Sequence, residues 1–164
     1  MVSYPLEGAL SEKTDYDGIF RVVRRAVLYV LGRERPGLGL GLSALPPSLG
    51  AYWQVTGNII VINEGLVMMM QAMSKSTLEF NSFVYVILAH EYLHSLGYLE
   101  EEEVRRATMV VTRKAFGPDH MATRMAEGDL WQMYPFLRYA PRGDGQRLRL
   151  VTKFDTATTS AYIR

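Results

Sequence analysis

The chain of 164 residues contains no cysteine, which excludes disulfides, thiolate nucleophiles and sulfur-ligated metal sites. A surplus of charge of either sign is also missing. With 18 basic and 17 acidic residues the formal net charge is +1, which speaks against nucleic acid or a membrane surface as a general partner. No apolar run approaches the length of a membrane span, and Met1 to Glu7 lack the basic-then-apolar pattern of a secretory leader. The expectation is a cytoplasmic protein without a membrane partner. The glycine-rich stretch from Gly37 to Gly50 lacks both the spacing and the lysine of a phosphate-binding loop. Histidine is scarce: His90, His94 and His120 are the only three, and they share one short stretch.

Two of these three stand four residues apart in His90-Glu91-Tyr92-Leu93-His94, an HExxH motif. On a helix this spacing puts both imidazoles on one face a single turn apart, so they can share one metal ion, while Glu91 points toward the same cavity. Glu91 is then placed to act as general base on water activated by the metal. The surroundings strengthen the reading. Asn81 to Ala89 is apolar on nearly every side, and Tyr92, Leu93, Ser95 and Leu96 are uncharged, as in a helix buried at a domain centre. A buried Glu91 with no metal nearby would be costly. Ser76-Thr77-Leu78-Glu79 forms a capping box that starts this helix, and Gly97 supplies its stop.

Leu88 to Gly97 resembles the active-site helix of the zincin metallopeptidases. The resemblance implies an α+β fold in one domain over 1–164, with a small mixed or antiparallel sheet packed on several helices around a central buried HExxH helix. It also implies Zn2+ as cofactor and a peptide or protein as substrate. Gly50 to Asn63 resembles the strand pair that precedes the active helix in these small peptidases, which would make Ile59 to Asn63 the lining of the substrate groove. A catalytic zinc keeps three protein ligands and one open position. His120, the one remaining histidine, is favoured for the third place after His90 and His94. Glu100 and Glu103 compete with it: Glu100 stands where the HExxHxxGxxH pattern has a histidine, and Glu103 lies on a following helix comparable to the glutamate-bearing helix of the gluzincins. A straight helix after Glu100 would carry His120 about 24 Å away at 1.5 Å per residue, so His120 requires that helix to break near Val110 to Thr112. Tyr98, Tyr134 and Tyr139 are the candidates for a transition-state donor.

Gly57 to Ile62 and His94 to Tyr98 also resemble parts of the bacterial rRNA-maturation metal-dependent endoribonucleases. That family has glycine where Glu91 stands and histidine where Glu100 stands, and RNA binding calls for basic surface. A zinc-stabilised adaptor that hydrolyses nothing is a third reading.

The rest of the chain reads as scaffold. Asp17 to Leu31 carries a helical stripe of Ile19, Val22, Val23, Ala26 and Val30, ended by Gly32. Gly37 to Gly50 reads as a short edge strand with a rigid turn at Pro46-Pro47, and Thr56-Gly57-Asn58 as the turn of a hairpin. Val67 to Met73 reads as a short helix whose methionines fill the core. A helix is expected from Glu100 to about Lys114, another from Ala122 to Met133, and a strand from Gln146 to Phe154. From Arg138 onward six basic residues face two acidic ones, which reads as a solvated tail.

Overall fold

A computed structural model describes residues 3–54, 56–152 and 154. Among these residues six α-helices and a four-stranded mixed sheet give the expected α+β class. Helix α1 (Tyr16–Leu31) begins where the Asp15 side chain accepts the Gly18 N–H and ends at Gly32, whose φ of 66° only glycine adopts freely. Its stripe of Ile19, Val22, Val23 and Ala26 is buried.

Strands β1 (Gly39–Ser43), β2 (Ala51–Trp53), β3 (Ile59–Asn63) and β4 (Arg149–Leu150) are ordered β2-β3-β1-β4. The β1–β3 pair is parallel, and the β2–β3 and β1–β4 pairs are antiparallel. This order changes two expectations. Strand β1 is paired on both sides, so the Gly37 to Gly50 stretch supplies an inner strand and not an edge. Strand β3 is likewise interior, with Ile60, Val61, Ile62 and Asn63 all buried, so the edge on this side of the sheet belongs to β2, with β4 at the other. Parallel pairing with β1 covers the flank of Ile59–Asn63 that a substrate would need. The C-terminal strand shrinks to Arg149–Leu150, while Lys153 lies outside the described residues, as do Asp155 and Arg164 of the tail.

Helix α2 (Glu64–Met73) buries Met70 but leaves Met68 and Met73 about half exposed, so only part of its methionine run fills the core. Its N-cap, Asn63, is fully buried and does more than cap. Its side-chain oxygen accepts from Gly65 N, and its amide nitrogen faces the carbonyls of Leu45, Pro46 and Leu49. This pins the loop between β1 and β2 against the sheet.

Helix α3 (Thr77–Ser95) carries the HExxH motif and is buried along most of its circumference. Ser76 Oγ accepts the Glu79 N–H at 3.0 Å and Glu79 Oε1 accepts the Lys75 N–H at 2.7 Å, so the cap forms with the predicted residues. Helix α1 and the following helix α4 (Glu101–Phe116) pack against α3, as do α5 (Met121–Glu127) and strands β2 and β3. The long helix expected over Ala122 to Met133 is divided: α5 stops at Gly128 and a single turn, α6 (Leu130–Met133), restarts after Asp129 caps it. Among the described residues no helix is long and apolar enough to cross a membrane.

Candidate metal centre

The C-terminal end of α3 is built to turn sharply. Tyr98 N–H donates to Leu93 O and Gly97 N–H to His94 O, the pair of bonds that defines a Schellman stop, and Gly97 takes the φ of 110° that this stop requires. The chain then re-enters a helix within four residues, which sets the first residue of α4, Glu101, opposite the last turns of α3. His90 Nε2 lies 3.1 Å from one carboxylate oxygen of Glu101 and His94 Nε2 lies 2.8 Å from the other. One potential donor atom from each of the three residues falls within 4.8 Å of the others.

The protonation chemistry of this cluster shows that the three residues fit a cation. His94 Nδ1 is 2.7 Å from Tyr98 O, and a carbonyl can only accept, so Nδ1 carries the hydrogen. In a neutral imidazole the Nε2 facing Glu101 is then a lone pair against a carboxylate. That contact needs a positive centre between the two atoms, either a second proton or a metal ion, and two imidazoles with one carboxylate form a common catalytic zinc set. Burial lowers the pKa of His90, partly offset by the Glu101 charge. A lowered pKa favours the neutral, ligating form. Burial alone would raise the Glu101 pKa, but the two histidines outweigh it and hold the carboxyl below its usual range.

Glu91 stands one residue round the helix and is only 6 % exposed. Burial, reinforced by the charge of Glu101, pushes its pKa up to about 8, and a hydrogen bond with the Trp53 backbone opposes that rise. The sheet register explains the Trp53 bond. Asn63 N–H donates to Gly50 O, so residue 50 pairs with 63 and residue 52 with 61 through hydrogen bonds, and the amides of Ala51 and Trp53 point away from β3. The free edge of β2 therefore faces the cluster.

Two cavities open there. One of about 310 Å³ lies between the start of β2 and α6, with Leu49, Val86, Ile87, Leu130 and Trp131 as apolar walls and His90, Glu91 and Glu101 at its base. Trp131 Nε1 donates to Pro47 O at 2.9 Å and ties α6 to the β1–β2 loop across this cavity. The other, about 240 Å³, lies by Tyr52, Trp53, His94 and Leu99.

Of the residues read as sites, His90, Glu91 and His94 come together, and His120 does not join them. Helix α4 runs unbroken from Glu101 to Phe116, so the break that His120 needed is absent and the chain reaches His120 only at the far end. There Nδ1 of His120 accepts the Ala122 N–H at 3.0 Å, Nε2 donates to Glu7 O at 3.1 Å, and the ring packs on Phe116. These bonds give His120 a structural task as the cap of α5, in place of the third-ligand role expected for it. Glu100, with an extended backbone, is the N-cap position of α4, and neither it nor Glu103 belongs to the cluster.

The three tyrosine candidates lie elsewhere. Tyr134 donates to Glu79 at the opposite end of α3, Tyr139 is 82 % exposed, and the Tyr98 ring sits beneath the Arg33 guanidinium. Glu101 was missed because an acidic run of four offers no periodic signal. The helical phase of α4 relative to Gly97 would have singled it out. Comparison with known protein families, with curated proteins and with solved structures found no match.

Proposed function

We propose that the chain is a zinc-dependent peptidase of the zincin type, in which His90, His94 and Glu101 hold the metal and Glu91 is the general base. The observation that carries this reading is the convergence of two imidazole nitrogens and a carboxylate within 4.8 Å, with a buried second carboxylate beside them. A zinc ion held there would polarise the scissile carbonyl and make water a stronger acid. The remaining work belongs to the chain. Glu91 takes a proton from the attacking water and passes it to the leaving amine, and its raised pKa suits both halves of that exchange. The nearby positive charge of the metal would draw that value down toward neutrality.

Trp53 N–H holds the Glu91 carboxylate in place, and the Tyr98 carbonyl fixes the His94 tautomer, leaving Nε2 free to ligate. The apolar walls of Leu130 and Trp131 keep water away from one side of the site. An extended peptide can add to the free edge of β2 through the outward Ala51 groups and the Trp53 carbonyl, the Trp53 N–H being engaged by Glu91. A peptide substrate also suits the chain better than RNA does, because a net charge of +1 offers no excess of basic surface for a phosphate backbone.

The test is Glu91→Gln. The variant should bind zinc as the wild type does and lose hydrolysis of an unstructured protein such as casein by several orders of magnitude, roughly 10³-fold or more. Cleavage of RNA and not of casein by the wild type would favour the endoribonuclease reading. Zinc binding with hydrolysis of neither would favour the adaptor.

A further inference from the structure

One cation near the cluster has no carboxylate partner. Arg105 lies one turn along α4 from Glu101, and Glu101, Arg105 and Thr108 form an i, i+4, i+7 stripe that lines a third cavity, about 260 Å³, running on from His90. Glu101 at i−4 would be the natural ion-pair partner of Arg105, but its oxygens are taken by the two histidines. Among the described residues the Arg105 guanidinium makes one long hydrogen bond, 3.4 Å to Gly128 O, and no ion pair. Asp129 borders the same cavity, yet its carboxylate is engaged as the N-cap of α6, accepting from Trp131 N–H at 2.9 Å. This cavity shares Val86, His90, Glu101, Leu130 and Trp131 with the apolar one described above, so the two are lobes of a single space.

A space with an apolar wall on one side, an unpaired guanidinium on the other and the reacting centre at its base matches a residue that is apolar in its side chain and anionic at its main-chain end. We propose that Arg105 receives the terminal carboxylate of the substrate, so that the enzyme removes apolar residues from peptide C-termini. The inference rests on the peptidase reading. A divalent metal held by two neutral imidazoles and the Glu101 carboxylate keeps a positive charge, but the Glu91 and Asp129 carboxylates offset it and Arg105, so the chain end is selected by the guanidinium itself and not by the net field of the space. A planar guanidinium also matches a carboxylate with two parallel hydrogen bonds. Hydrolysis then balances simply. The water oxygen bonds to the scissile carbonyl carbon, the C–N bond breaks, and the proton goes through Glu91 to the leaving nitrogen, releasing the terminal amino acid and a chain with a new carboxylate.

The test uses the zinc-loaded protein and three versions of one unstructured peptide: a free C-terminal leucine, the same leucine amidated, and an amidated peptide with glutamate replacing that leucine. The free acid should be cleaved at the last bond with kcat/KM on the order of ten- to a hundredfold above the amide. In Arg105→Gln the ratio of free acid to amide should collapse toward one, and in Arg105→Lys it should partly return. Because a ratio is read, a general loss of activity in a variant does not imitate the result. Equal cleavage of acid and amide by the wild type, or a ratio unchanged in Arg105→Gln, overturns the inference and leaves the peptidase reading standing. Preference for the amidated glutamate peptide overturns it in favour of side-chain recognition. A zinc-loaded wild type that cleaves no peptide removes the peptidase reading and the inference with it.

Discussion

At the scale of single residues, scarcity and geometry point to different ligands. His120 drew attention because the chain holds so few histidines, but a side chain's rarity says nothing about where the backbone carries it. Its ring is used at both nitrogens, accepting the Ala122 N–H and donating to Glu7 O, an arrangement open only to neutral imidazole. Burial lowers its pKa below the ordinary 6.5, outweighing the pull of Glu7. The sign follows: stabilisation from this group is fully present above pH 6.5 and is lost as the pH falls through the lowered folded value, because protonation turns the capping acceptor into a donor. His120→Asn keeps a good capping side chain with no titration, so its denaturation midpoint should vary less than the wild type's as the pH falls through that acid range. Glu101 makes the opposite case. Glu101→Gln should weaken zinc binding by about a hundredfold or more in a competition titration, whereas Glu100→Gln one residue away should change it little, since only Glu101 is within reach of both histidines.

At the scale of elements, the site depends on how one helix stops and the next begins. Helix α3 was legible because its signals are local: the capping residues Ser76 and Glu79, the apolar flanks and the terminal Gly97 each act within a few positions. The direction of the chain after Gly97 was not legible, since it depends on packing of α4 against α3. Gly97→Ala should therefore be costly even though the nearest atom to an added Cβ, from Arg33, lies 4.0 Å away, for the penalty comes from the φ of 110° and not from crowding. A loss of roughly 1–3 kcal/mol in denaturant unfolding is expected, together with weaker zinc binding as Glu101 is re-aimed. The strands teach the same lesson. Runs such as Ile59 to Asn63 announce a strand, but whether it sits at an edge or inside a sheet depends on which distant strand pairs with it, and here β1 takes that flank. Arg35 shows how such distant pieces are joined. Its guanidinium donates to Ser95 O at the end of α3 and to Gly57 O in the turn after β2, both at 2.8 Å, fastening α3 to the edge strand.

At the scale of the whole molecule, the fold places the HExxH helix α3 between a helical layer and the β2 edge of the sheet, and the large apolar share of the chain supports that burial. With 48 % hydrophobic residues the core can surround α3 and enclose Glu91, and burial is the largest cause of that carboxyl's raised pKa. The motif, its helix, the fold class and two members of the His-His-Glu cluster could be read from residues that are neighbours in sequence. The third member, the identity of the edge strand and the lone cation at Arg105 could not, because each arises from chain segments meeting across the fold. The reading proposed above requires His90, His94 and Glu101 to form one metal centre. It is tested most directly by a crystal structure of the zinc-loaded protein. A single ion should be bound by both histidine Nε2 atoms and a Glu101 carboxylate oxygen at about 2.0–2.2 Å, with Glu91 beside it and unligated. An ion bound through His120, Glu100 or Glu103 with Glu101 turned away, or no ion between His90 and His94 at saturating zinc, would contradict it.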